Sequence, residues 1–145
     1  MQLKTVFLLS VLNAFIISTG AAASVEQVGT YEGTIQIKIT NIDGSKSRQK
    51  ASLKIEIAAD DVTTVTVDGT VKQVAIGGYG PTGGILIFGD NSPPPIDGNV
   101  AALQISNGVL KGTALGYRLF EVAGPPTDYV LSATTQSKLK AKKVP

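Results

Sequence analysis

The chain predicts an all-β protein: an antiparallel meander of about eight short strands closing into a small barrel, with a β-sandwich as the alternative architecture. Three observations carry that expectation. Apolar and polar residues alternate with a period of two from Gly29 to Thr40. Tyr31, Ile35, Ile37 and Ile39 take one face there, and Glu32, Gln36 and Lys38 the other. Turn signals such as Asp68-Gly69 and Asn107-Gly108 recur between shorter alternating runs. No stretch after the first residues carries the 3.6-residue periodicity of an amphipathic helix.

Residues 1–23 read as a secretory signal peptide. Lys4 supplies the positive start, Val6 to Ile17 an apolar run broken only by Ser10 and Asn13, and Ala21-Ala22-Ala23 the small residues before cleavage near Ala23. The run is shorter than the roughly 20 residues a spanning helix needs, which argues against an N-terminal anchor. The remaining chain, 24–145, is expected to be one all-β domain. It is placed outside the cytoplasm, secreted or periplasmic, with no stable membrane insertion after cleavage. An outer-membrane barrel is a weaker alternative, because several strands are shorter than the roughly 9–11 residues needed to cross.

After the first strand, Asn41 to Ser45 is turn chemistry. A second strand is expected over Ser52 to Ala58, with Leu53, Ile55 and Ile57 on its apolar face. A two-residue Asp43-Gly44 turn would send Leu53 to the polar face. The connection must therefore be odd in length, or a bulge must lie near residues 45–51. Lys46, Arg48 and Lys50 read as a solvated edge, with polyanion binding at the envelope as the alternative. Thr63 to Val67 is a β-branched strand, and the Asp68-Gly69 turn sets Val65 opposite Lys72, with Val74 and Ile76 on the same face. That register aims Lys72 inward. A bulge returning it to solvent is the favoured expectation; otherwise it stands in a barrel mouth and could meet an anionic group.

Gly77 to Gly84 reads as a flexible connector with Tyr79 at its centre as a contact residue. It lacks the lysine of a phosphate loop. Ile85 to Phe88 is a short apolar strand, and Gly89 to Gly98, with Pro93-Pro94-Pro95, an exposed stiff loop suited to docking. Asn107-Gly108 then makes the clearest hairpin: Ser106 pairs with Val109, Ile105 with Leu110, Leu103 with Gly112 and Ala101 with Ala114. A short strand from Leu119 to Ala123 and a last one from Tyr129 to Lys138 follow. Tyr129, Leu131 and Ala133 are expected on the core face, and the basic end through Lys143 is expected to fray.

The composition excludes several functions. There is no cysteine, histidine or tryptophan. Thiolate chemistry and the commonest general base are therefore absent. Lys+Arg total 13 against 11 Asp+Glu, a net charge of +2, which points to no nucleic-acid partner. Asp60-Asp61, Asp90-Asn91, Asp97 and Asn99 read as turn residues rather than metal ligands. Glu56, Glu121 and Asp128 are available for catalysis, but nothing in the spacing pairs them. No catalytic residue, metal or cofactor is assigned.

Gly29-Thr30-Tyr31, opening the first long strand of an eight-strand meander, resembles the start of lipocalin- and avidin-type barrels. Those families usually carry tryptophan where this chain has Tyr31. The resemblance implies a ligand cup inside the barrel. The candidate lining is Tyr31, Leu103, Leu110, Tyr129 and Leu131, with Lys72 and Tyr79 as further contacts. The leading expectation is a non-enzymatic binding module for a small apolar or amphipathic ligand, or for an envelope or extracellular protein. A structural envelope or matrix component is the alternative, and a carboxylate-based hydrolase or isomerase the weaker one.

Overall fold

The computed structural model describes residues 23–90, 96–122 and 128–145. The expected signal segment lies outside these residues except for Ala23, as does the Pro93-Pro94-Pro95 tract. The strands are β1 (Gly29–Asn41), β2 (Lys46–Ile57), β3 (Thr63–Val67), β4 (Thr70–Gly80), β5 (Gly83–Asp90), β6 (Ile96–Ser106), β7 (Val109–Val122) and β8 (Asp128–Lys143). Each pairs antiparallel with the next, and β8 pairs with β1, closing the barrel. Followed from strand to strand, the pairing that starts at Tyr31 returns to β1 at Asn41, so the strands are staggered and tilted.

Turn chemistry sets most of the registers. Asn41 N–H bonds Ser45 O at 2.9 Å, leaving the three-residue loop Ile42-Asp43-Gly44, with Gly44 at φ 83°. This is the odd connection the parity argument demands, and it keeps Leu53 inside. Asp68-Gly69 (φ 50° and 76°) and Asn107-Gly108 (φ 52° and 69°) form two-residue turns with both residues left-handed, in the expected registers. The Gly77 to Gly84 stretch is not a flexible connector. Gly80 pairs with Gly83 around Pro81-Thr82, and its flanks are the ends of β4 and β5.

Two irregularities redirect side chains. Between Val74 and Ile76 the register of β4 shifts by one residue, so Lys72 and Val74 face inward above the bulge, and Gly77 and Tyr79 below it. The face expected to run on from Val74 ends there, the Ile76 side chain itself lying outside what the structure describes, and the bulge comes too late in the chain to turn Lys72 outward. A second shift lies at Ser132: Arg118 pairs with Ala133 but Leu119 with Leu131, so Tyr129 and Leu131, expected on the core face with Ala133, turn to the outer face.

Ile35 and Ile37 of β1 share one interior with apolar residues of β2, β5, β6 and β7, and Ile39 is buried as well. Tyr31, Ile55, Val65, Tyr79, Leu86 and Leu110 are fully buried there. They fill the lower half, the end carrying the β2–β3, β4–β5 and β6–β7 turns. Gln27 closes this end: its Nε2 donates to Gly80 O at 2.7 Å, and the Tyr31 hydroxyl donates to Gln27 O at 2.9 Å. The basic C-terminal end is not frayed. Lys138, Lys140 and Lys142 pair with both β1 and β7 while Leu139 and Ala141 fill the core between them.

Candidate functional site

The residues expected to line one ligand cup are dispersed. Tyr31, Leu103, Leu110 and Tyr79 are packed into the lower core. Tyr79 is not a mobile contact. Its hydroxyl bonds Thr63 Oγ1, and burial pushes its pKa up to about 12, with the Thr63 bond pulling weakly the other way. Burial also raises the pKa of Tyr31. Tyr129 and Leu131 are half-exposed at the opposite end. The lower barrel is thus filled by its own side chains, and the space for ligands lies at and around the upper end.

At the upper mouth the lining turns polar. A cavity of about 240 Å³ lies among Gln49, Lys72, Phe88, Asp97, Asn99, Arg118, Thr135 and Ser137. Lys72 does point inward. Its ammonium pairs with Asp90 and lies 3.9 Å from Asp97 Oδ2, while Asp97 Oδ1 accepts the Asp90 N–H at 2.9 Å. Two carboxylates therefore share a cleft, which sequence spacing did not reveal. A hydrolase needs water or a substrate oxygen between such a pair. Here the lysine ammonium occupies that ground, so the arrangement is an ion-pair clamp. Among the described residues no group of three or more His, Cys, Asp or Glu is gathered as a metal would require.

A further concavity lies on the outside. A groove of about 730 Å³ crosses β2, β1, β8 and β7, walled by Lys38, Arg48, Lys50 and Lys138 with Gln36, Thr113, Leu115 and Gln136 between. The register builds it: Lys38 pairs with Arg48 and Gln136, and Gln36 with Lys50 and Lys138. Pairing of alternate residues places all these side chains on the outer face. None of the four cations has an ion-pair partner among the described residues; the outer acids Glu32 and Glu56 lie further down, Glu56 paired with Lys54 at 3.0 Å.

The groove leads onto an apolar ribbon. β6 follows β7 only to Leu119, and β1 follows β8 only to Ala133. Beyond those points, among the described residues, β7 and β8 pair with each other alone, apart from one bond from Ile42 N–H to Ser132 O. Phe120 is 56% exposed, Tyr129 50% and Val130 48%, with Tyr117, Val122 and Leu131 similarly open. A two-stranded ribbon is marginal in water by itself, and this one carries apolar side chains gathered at one end.

Lys46, Arg48 and Lys50 were expected as a solvated edge, and Lys138 as part of a frayed tail. Their alternation with Ser47, Gln49, Ser137 and Leu139 was the available signal of one shared outer face. Compared with protein-family models, curated proteins and solved structures, the chain matches none, so its assignment rests on the eight-stranded antiparallel barrel and on these two upper-end sites.

Proposed function

We propose that this chain is an exported, non-enzymatic binding module that holds the anionic head of an amphipathic envelope lipid in its outer groove and the adjoining apolar portion on the β7–β8 ribbon. One observation supports the reading: four cations without an ion-pair partner among the described residues wall a groove whose outer face continues along β7 and β8 to the exposed Tyr117, Tyr129 and Leu131. A basic surface near an anionic bilayer gains about 1 kcal/mol per lysine or arginine. Tyr and Phe side chains settle at the headgroup level. The signal-like N-terminus supports export, and the lipocalin- and avidin-like opening of the first strand supports a binding role. The filled lower barrel argues against an apolar ligand held inside.

Co-sedimentation of the protein with vesicles of phosphatidylglycerol and of phosphatidylcholine tests this. Binding is expected to the anionic vesicles only and to weaken as salt rises. Both Lys50→Glu with Lys138→Glu and Tyr117→Ser with Leu131→Ser, the latter pair on the same outer face as the groove, are expected to reduce it. Equal binding to both lipids, or none to either, would leave the structural-component reading in its place, which the solid lower core favours.

A further inference from the structure

We infer that the upper mouth is a second binding site, separate from the outer groove, for a small hydroxylated carboxylate of the size of one sugar acid. Its volume, about 240 Å³, is below that of pockets for drug-sized ligands but admits a single small ring. Phe88, Asp97, Asn99, Arg118, Thr135 and Ser137 form much of its wall.

The chemistry of the wall selects the ligand. Thr135 is only 6% exposed, and its Oγ1 has no hydrogen-bond partner. An unpaired buried hydroxyl costs about 1–3 kcal/mol, so a folded chain rarely keeps one without use. Gly116 stands beside it. A Cβ on Gly116 would lie 2.5 Å from Thr135 Oγ1, 2.6 Å from Gly98 O and in collision with Asn99 Oδ1. Two oxygens of β6, Asn99 Oδ1 and Gly98 O, and the Thr135 hydroxyl of β8 thus converge beside Gly116. The Asn99 amide nitrogen is turned away, to Phe88 O at 3.5 Å. A ligand hydroxyl placed there would give the Thr135 hydroxyl the partner it lacks among the described residues.

The charge comes from Arg118. It pairs in register with Asp97, yet that carboxylate is committed to Lys72 and to the Asp90 N–H. Among the described residues the Arg118 guanidinium has neither an ion pair nor a hydrogen bond. A free guanidinium at a cavity mouth suits a carboxylate, which it can grip with two parallel bonds. Lys72, by contrast, is neutralised twice and is not the anion site.

Titration of the full protein with D-glucuronate, followed by calorimetry, tests the site against glucose, which lacks the charge, and acetate, which lacks the hydroxyls. Glucuronate is expected to bind at least about tenfold tighter than either. Arg118→Gln should remove that advantage. Thr135→Val, nearly isosteric, should weaken glucuronate while raising the melting temperature of the ligand-free protein, because it deletes an unpaired hydroxyl. A threonine serving structure alone would lower the melting temperature and leave the affinity unchanged. Should glucuronate bind no better than glucose and acetate, or equally well to Arg118→Gln, the mouth is a water-filled cup and the inference fails.

Discussion

The Tyr79 hydroxyl sits in the lower core with Thr63 Oγ1 as its partner, and Thr63 donates in turn to Asp61 O at 3.4 Å. Burial pushes its pKa from the ordinary 10.0 to about 12. A raised pKa means that the folded state holds the proton more tightly than the unfolded one. The associated stability is complete below pH 10 and is lost as pH rises toward 12. Tyr79→Phe should therefore flatten the loss of stability in that alkaline window, measured by urea denaturation across pH. At neutral pH it should cost about 1 kcal/mol for the lost hydrogen bond. Tyr79 also marks where residue-level reading of the sequence stopped. Flanked by glycines, it looked like a loop residue, because nothing in a bulge's own residues announces the change of face that buries it.

Among the elements, the pair β1 and β8 decides whether the barrel closes. Gly33 lies in that seam, and a Cβ there would collide with the Lys140 carbonyl oxygen and stand 2.6 Å from Ala141 Cα. Both are backbone atoms that cannot swing aside. Gly33→Ala is therefore expected to cost about 1–3 kcal/mol, read from the denaturation midpoint. Hairpins were legible in proportion to how cleanly their faces segregate. Around Asn107-Gly108 every inward residue is apolar or small, and the register follows from sequence alone. The last strand was read short because Thr135, Ser137 and Ala141 are inward residues that do not look like core. They are small where the interior is narrow or polar, and period-two alternation survives there only in the lysines between them.

For the molecule as a whole, net charge proved a poor guide to surface character. The sum of +2 conceals a division in which Lys38, Arg48, Lys50, Lys138 and Lys140 share one outer quadrant while Asp90 and Asp97 are spent on Lys72 inside. Only the closing of β8 onto β1 brings the two ends of the chain together to make that quadrant, so spacing along the sequence could not show it. Closure also protects the chain from itself. A protein ending at Gln136 loses the part of β8 that bridges β7 to β1, leaving two long edges unpaired. It should elute as aggregate in size-exclusion chromatography, where the full chain elutes as a defined species.

The central claim is that ligand is taken on the outside of the upper barrel and not within the packed lower half. An amide-resolved NMR titration of ¹⁵N-labelled protein with phosphatidylglycerol-containing bicelles tests it most directly. Shifts are expected to group at Lys38, Arg48, Lys50, Lys138, Tyr117 and Leu131, with Ile55, Leu86 and Leu110 unmoved. Shifts centred instead on Tyr31, Ile55, Leu86 and Leu110 would contradict it, because they would place the lipid in the interior that the side chains fill.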